Sequence, residues 1–286
     1  MRFRSLFTYG RLITFSHTIF ALPFALASVV LAAQIHPFSW GKLLWIVIAM
    51  AGARSAAMGF NRYADRRYDR RNPRTISRPS VTGEIGSRSL LLFVGASSTV
   101  FVGSAAMLNR LCLWLAVPCL AILFFYSYTK RFTAFSHLFL GFAIGLAPVG
   151  AWIAWTGGLD PRILPLSLAL MTYIAGFDIL YACQDVDFDR RAGLHSIPSR
   201  WGIPAALLVS SALHGATFLL LLALQPLFQL GRIYTALLVV IGSLLLLEHL
   251  LVRPSRLETI PVAFFHVNSA VSVLLILAIF LDRAFV

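Results

Sequence analysis

Charge is what this chain has least of. Only 12% of its 286 residues are Asp, Glu, Lys or Arg, about half the share of a soluble domain. Hydrophobic residues make up 59%, and the mean hydropathy is +0.81. A water-soluble globular fold is therefore excluded. Negative charge is scarcest, with 11 Asp and Glu against 24 Lys and Arg and a net charge of +13. Cysteine is nearly absent: Cys112, Cys119 and Cys183 all lie in apolar runs. An odd number without metal-ligand spacing rules out a disulfide framework and a zinc site. The chain also lacks a linker, a low-complexity tract or a soluble module, so it reads as a single domain over residues 1–286.

What the chain has instead is long apolar runs. A membrane-spanning helix needs about 20 such residues. Nine segments qualify: 14–33, 43–60, 90–108, 111–128, 138–155, 163–183, 205–224, 233–251 and 262–281. The N-terminus is basic and then apolar, but the run from Ile13 to Ala33 is too long for a signal peptide. With more spans following, it reads as a retained first helix. Pro23, Pro148 and the glycines from Gly141 to Gly150 mark kinks and close helix packing. His17, His214 and His266 fall singly on spans and read as packing residues; no facing pair that would ligate a haem is evident.

The basic residues set the orientation. With the N-terminus in the cytoplasm, the inside segments hold Arg2, Arg4 and Arg11, eight arginines from Arg62 to Arg88, Lys130, Arg131, Arg190, Arg191, Arg200, Arg253 and Arg256. The outside segments hold only Lys42, Arg110, Arg162, Arg232 and Arg283. Topology thus accounts for the positive charge without nucleic acid. The expected architecture is an all-α membrane protein of nine transmembrane helices, N-terminus in and C-terminus out.

Two acidic motifs stand out, both on the cytoplasmic side. Asn61, Asp65 and Asp69 are spaced four apart at the polar end of the second span, on one helical face. Asp185 and Asp189 repeat that spacing after the sixth span, and Phe188-Asp189-Arg190-Arg191 matches Tyr68-Asp69-Arg70-Arg71. This 120-residue offset implies two related four-helix halves, helices two to five and six to nine, a design that often places a site at the repeat interface. Surface ion pairs with the flanking arginines are the plain alternative, worth roughly 0–1 kcal/mol. Two copies at matching places argue against it. Hard Mg²⁺ is usually held by one or two carboxylates plus substrate phosphates. Two Asp pairs therefore suit a Mg²⁺-bridged diphosphate, with arginines matching its oxygens.

Inside the spans, Arg54 lies seven residues before Asn61, and Asp178 seven before Asp185. Ionisable groups at such depth are functional candidates; the alternative is that the two pair as an interhelical strut.

These residues resemble the UbiA superfamily of intramembrane prenyltransferases over essentially the whole chain. The likeness rests on Asn61-xxx-Asp65-xxx-Asp69, Arg74-Thr75-Ile76-Ser77-Arg78-Pro79, Tyr126-Ser127-Tyr128-Thr129-Lys130-Arg131, and Tyr181-Ala182 ahead of Asp185-xxx-Asp189. It is closest to 4-hydroxybenzoate polyprenyltransferases. Asn61-Arg62 and Gly193-Leu194-His195-Ser196-Ile197-Pro198 resemble the futalosine menaquinone branch, whose acceptor is a dihydroxynaphthoate. His195 stands where many members have Lys.

The resemblance implies an enzyme that transfers a polyprenyl group from an isoprenyl diphosphate to an aromatic hydroxy-carboxylate. Asp65, Asp69, Asp185 and Asp189 would hold two Mg²⁺, and Asn61, Arg74, Tyr126, Lys130, Arg131 and His195 would bind substrate. Their depth in the spans, not the resemblance, adds Asp178 to the catalytic set and Arg54 to the substrate-binding one. The expected partners are the two substrates and the lipid of the inner membrane, with no nucleic acid and no protein partner, and the active site faces the cytoplasm. A transporter is the rival from another class. It explains Arg54 and Asp178 but not two arginine-flanked Asp-xxx-Asp motifs at one surface. A phosphatidyl-alcohol transferase would carry a D-G-x-x-A-R motif, which is absent.

Overall fold

The structure is a computed structural model and describes residues 8–13, 15–252, 260 and 263–285. Among these residues every regular element is helical. The longer α-helices are α1 (Leu22–Ala32), α2 (Trp40–Ala64), α3 (Ser87–Leu108), α4 (Arg110–Thr129), α5 (Ser136–Thr156), α6 (Leu164–Ala182), α7 (Ile203–Phe228), α8 (Arg232–Leu251) and α9 (Asn268–Phe285). Among the described residues eight segments, which contain helices α2 to α9, are long and apolar enough to cross a membrane. The first predicted span is divided instead, into a 3-10 turn over Phe15–Phe20 and the 11-residue α1. Pro23 sits in the first turn of α1. Having no N–H to donate, it can open a helix but cannot continue the one before it.

The chain forms two compact units, Met1–Thr18 with Trp40–Tyr128, and Ile19–Ser39 with Thr129–Val286. In the first, α2 lies along α3, and glycine sets how closely. A Cβ on Gly52 would stand 2.9 Å from the backbone nitrogen of Phe101. Lipid offers no hydrophobic drive between helices, so such close backbone approach supplies the attraction. Phe60 of α2 stacks on Phe124 of α4 with ring centroids 4.5 Å apart. Tyr9 stacks on Phe93 at 4.8 Å, beside the buried Leu12, Ile13, Ile85 and Leu90.

The second unit is organised on α6, which is buried nearly all round: Leu166, Ala169, Leu170, Tyr173, Ala175 and Ile179 show no exposed surface. A helix apolar on every face belongs in a core. Helix α5 docks through Gly141 and Gly145; a Cβ at Gly141 would meet the Met171 carbonyl at 2.3 Å. This contact places α5 with α6, so the units divide the chain differently from the helix two-to-five and six-to-nine halves. Ser28 of α1 donates to the Pro148 carbonyl of α5 at 2.7 Å. Gly150, by contrast, has nothing close to it.

The structure corrects the reading of His214 as a single packing residue. Its Nδ1 lies 3.0 Å from Nε2 of His249, in the last turn of α8. His214 Nε2 lies 3.3 Å from the Tyr173 carbonyl, and Gly176 makes the room, since a Cβ there would stand 2.4 Å from the imidazole. Asn268 donates to Glu248 at 2.8 Å beside them. The two imidazoles are hydrogen-bonded to each other. His266 is exposed, and the His17 side chain lies outside the described residues.

Candidate active site

In the first unit the acidic motif continues the course of α2. Asp65 N–H donates to Asn61 O at 2.9 Å and Asp69 N–H to Asp65 O at 2.9 Å. The i, i+4 register therefore carries through, although Asp65 itself leaves helical geometry at φ −92°, ψ 1°. Asn61 is a hub. Its amide nitrogen donates to Asp65 Oδ2 at 2.9 Å, while its oxygen accepts from Arg62 Nη1 at 3.2 Å. Arg62 is anchored by donating from Nε to the Leu12 carbonyl at 3.2 Å. Buried donors and acceptors must be matched, and this chain of bonds allows the Asn61 amide one orientation. The second carboxylate, Asp69, is buried and held in a fork, with Arg78 Nη1 at 2.7 Å and 2.8 Å from its two oxygens.

Arg78 belongs to the run that begins at Arg74. Thr75 of that run donates to the Asp69 carbonyl at 3.0 Å and ties the loop down, whereas Arg74 is exposed. Tyr126 lies near enough to Arg54 and Arg62 to act on both charges. Arg54 also donates from Nη2 to the Ile13 carbonyl at 3.4 Å. Asn61, Asp65, Asp69, Arg54 and Tyr126 are thus brought together around one end of α2.

In the second unit the second motif has the same backbone break at its first carboxylate, with Asp185 at φ −104°, ψ 5°. Asp185 and Asp189 are 6% and 2% exposed. Ser196 Oγ donates to Asp189 Oδ2 at 2.9 Å, and the same hydroxyl accepts from Ser199 N as the N-cap of Ile197–Trp201. The turn between them needs Gly193 at φ +66°, a left-handed conformation that glycine adopts without cost. His195 N–H donates to the Lys130 carbonyl at 2.7 Å, which brings Lys130 within electrostatic reach of Asp189. Arg131 follows, partly buried. Asp178, on α6, accepts from His137 Nδ1 of α5 at 2.7 Å.

Among the described residues no three His, Cys, Asp or Glu side chains gather for a metal. The donors nevertheless fit Mg²⁺. Each unit supplies two buried or half-buried carboxylates, hard oxygen ligands, on consecutive turns of helix. Two carboxylates completed by substrate phosphates is the usual way a protein holds this ion.

The UbiA prenyltransferase family matches residues 21–270. The chain belongs to the UbiA prenyltransferase family. It is 31% identical over 229 residues to the 4-hydroxybenzoate octaprenyltransferase of Vibrio parahaemolyticus, covering 79% of each chain. It matches the apo structure of a UbiA homologue from Aeropyrum pernix with a TM-score of 0.84 and 33% identity, over 93% of this chain and 98% of that one. The UbiA homologue of Archaeoglobus fulgidus bound to GPP and Mg²⁺ shares the fold, with a TM-score of 0.71, 23% identity and coverage of 96% and 99%. This UbiA-family chain is therefore a prenyltransferase enzyme and a multi-pass membrane protein.

Reading the UbiA-family motifs alone passes over three contacts. Arg62 stands inside the first motif, and Arg78 closes the loop run, so both carry a signal in the sequence. His137 has a weaker one, a lone histidine at the start of a span just after Lys130-Arg131.

Proposed function

We propose that this enzyme transfers a polyprenyl group from an isoprenyl diphosphate to 4-hydroxybenzoate or a related aromatic hydroxy-carboxylate, with Mg²⁺, in quinone biosynthesis. The observation that carries it is the matched pair of motifs, two Asp-xxx-Asp sequences with the same backbone break at Asp65 and Asp185. That likeness also supports a common origin for the segments that bear them and one functional domain over the whole chain. The Vibrio relative's name points to 4-hydroxybenzoate, and the Archaeoglobus homologue was solved with GPP and Mg²⁺.

In this reading Asp65 and Asp69 serve one Mg²⁺ and Asp185 and Asp189 another. These residues would hold the metal, which would supply charge neutralisation to the leaving diphosphate when bound. Asn61 keeps Asp65 aimed, and Arg78 holds the Asp69 carboxylate in place. Tyr126, Lys130, Arg74 and His195 serve the diphosphate oxygens. The bond from the allylic carbon to the diphosphate oxygen breaks, and a bond from that carbon to the ring position ortho to the hydroxyl forms. Asp178 accepts a hydrogen bond from the hydroxyl, which enriches the ring, and the ring proton passes to the departing diphosphate as aromaticity returns. The test is purified protein with Mg²⁺, a labelled prenyl diphosphate and 4-hydroxybenzoate. Prenylated acid with release of diphosphate is expected; no release with any aromatic acid would leave the transporter reading standing.

The acceptor's carboxylate is read by Arg54 or Arg131. Arg54 is partly buried within α2, and a guanidinium there would meet a carboxylate bidentately. Wild type is expected to prefer the free acid over its carboxamide, and Arg54→Leu or Arg131→Leu to lose that preference while still ionising the donor. Equal use of acid and amide by wild type would refute it.

Nine spans follow from the apolar runs and a cytoplasmic N-terminus from the charge bias, and the motifs would then face the cytoplasm of the inner membrane. Cysteine placed at Ser77 is expected to react only from the cytoplasmic side, and cysteine at Ala284 only from outside. Reaction of both from one side would remove one span from the count.

A further inference from the structure

His137 is completely buried at the first turn of α5, and both of its ring nitrogens are engaged. Nε2 lies 3.4 Å from the backbone nitrogen of Ile197. A backbone N–H can only donate, so Nε2 accepts and the ring proton is on Nδ1. That proton is donated to Asp178 Oδ2 at 2.7 Å. The exposures differ sharply: the His137 side chain is 0% exposed and that of Asp178 is 24% exposed. The imidazole is the held end of the pair and the carboxylate is the presented end.

Ile197 opens the short helix Ile197–Trp201, and the residue before it is the capping Ser196, itself fully buried. Ser196 has one hydroxyl proton and gives it to Asp189. A continuous path of hydrogen bonds and one peptide link therefore runs Asp178, His137, Ile197, Ser196, Asp189. It draws on α5, α6, the second motif and the capping loop. The two carboxylates at its ends have different assignments, Asp178 to the aromatic acceptor and Asp189 to the metal.

We infer that His137 is a positioning residue with two separable roles. Its Nδ1–H aims the Asp178 carboxylate, and its Nε2 seats the Ile197 N–H and so the Ser196 that orients Asp189. The inference rests on the proposed prenyl transfer for the names of the two substrates, but the division of roles between the two nitrogens is a property of the geometry. Groups that orient ligands typically matter by about 10–100-fold in metal affinity or activity.

Two conservative variants of the full-length protein separate these roles. In His137→Asn the amide nitrogen falls near the place of Nδ1 and keeps the donor to Asp178, while the Ile197 contact is lost. In His137→Gln the amide reaches the place of Nε2, and the donor to Asp178 is lost. Two readouts are needed: kcat/KM for 4-hydroxybenzoate at saturating Mg²⁺, and the Mg²⁺ midpoint of the thermal shift with a non-hydrolysable prenyl diphosphate analogue.

His137→Gln is expected to lose more in acceptor kcat/KM, by about tenfold or more, and His137→Asn to lose more in Mg²⁺ midpoint, by a similar factor. Equal losses in both readouts, in step with a lower Tm without ligand, would mean that His137 is merely structural and overturn the inference. Wild-type values in both variants would overturn it equally. If wild type prenylates no aromatic acid, the proposed function fails, and the Mg²⁺ midpoints still decide whether Nε2 acts through Ile197. An unchanged midpoint in His137→Asn refutes that role.

Discussion

Replacing Asp185 or Asp189 by Asn is expected to abolish prenyl transfer, with turnover below about a thousandth of wild type. Asp65→Asn and Asp69→Asn should do the same. An amide oxygen is a poor ligand for a hard divalent cation, and a charged leaving group in an apolar site depends on that cation. The consequences for stability should differ among the four, because the structure gives each carboxylate a different neighbour. Asp69 is forked by Arg78, so Asp69→Asn strands a guanidinium and should lower the Tm. Asp185 lies within electrostatic reach of Asp189, so Asp185→Asn removes a like charge without metal, whereas Asp189→Asn also weakens the bond from Ser196 and the attraction of Lys130. The measurements are diphosphate release and thermal unfolding of each variant. Near-normal turnover in any two of the four would reject the metal-binding role of the motifs.

The largest loss of stability is expected from Asp282→Ala. Asp282 lies near the end of α9 and is completely buried. Its Oδ2 accepts from Gly231 N–H at 2.8 Å and its Oδ1 from Tyr234 N–H at 3.1 Å. Both donors belong to the start of α8, where the first N–H groups of a helix have no partner of their own. The carboxylate thus caps α8 from a different helix and meets the positive end of its dipole. Alanine would leave two buried donors unsatisfied, at about 1–3 kcal/mol each. Asp282→Asn should fall between alanine and wild type, since one amide oxygen can still accept. Thermal unfolding in a fixed detergent decides it; an unchanged Tm for the alanine variant would show that water reaches the start of α8 and serves in its place.

Much of this is legible in the sequence. Nine spans follow from apolar runs of about 20 residues, and eight of them are long helices among the described residues, because satisfying every backbone group within lipid leaves the chain little choice but helix. The acidic pairs are legible because carboxylates four residues apart share a helical face whatever surrounds them. Asn61, Asp65 and Asp69 keep that register even where Asp65 breaks from ideal geometry, since the i, i+4 hydrogen bonds persist on either side. Hydropathy renders the first span as one continuous helix because it does not register the missing N–H of Pro23.

Tertiary structure decided which faces meet, and with that every partner distant in sequence. Gly141 and Gly145 give α5 to α6, and that docking alone sets His137 beside Asp178, 41 residues away. The same holds for His214 with His249 and for Asp282 with the start of α8. Apolar periodicity is uninformative here: a helix hydrophobic on all sides, such as α6, has no pattern that marks a preferred neighbour. Composition and spacing are local properties that determined the membrane class, the spans and the acidic motifs. The donors to the motif acids are also near in sequence, whereas the His137 donor to Asp178 is set by backbone approach between helices, which depends on where side chains are small enough to let it happen.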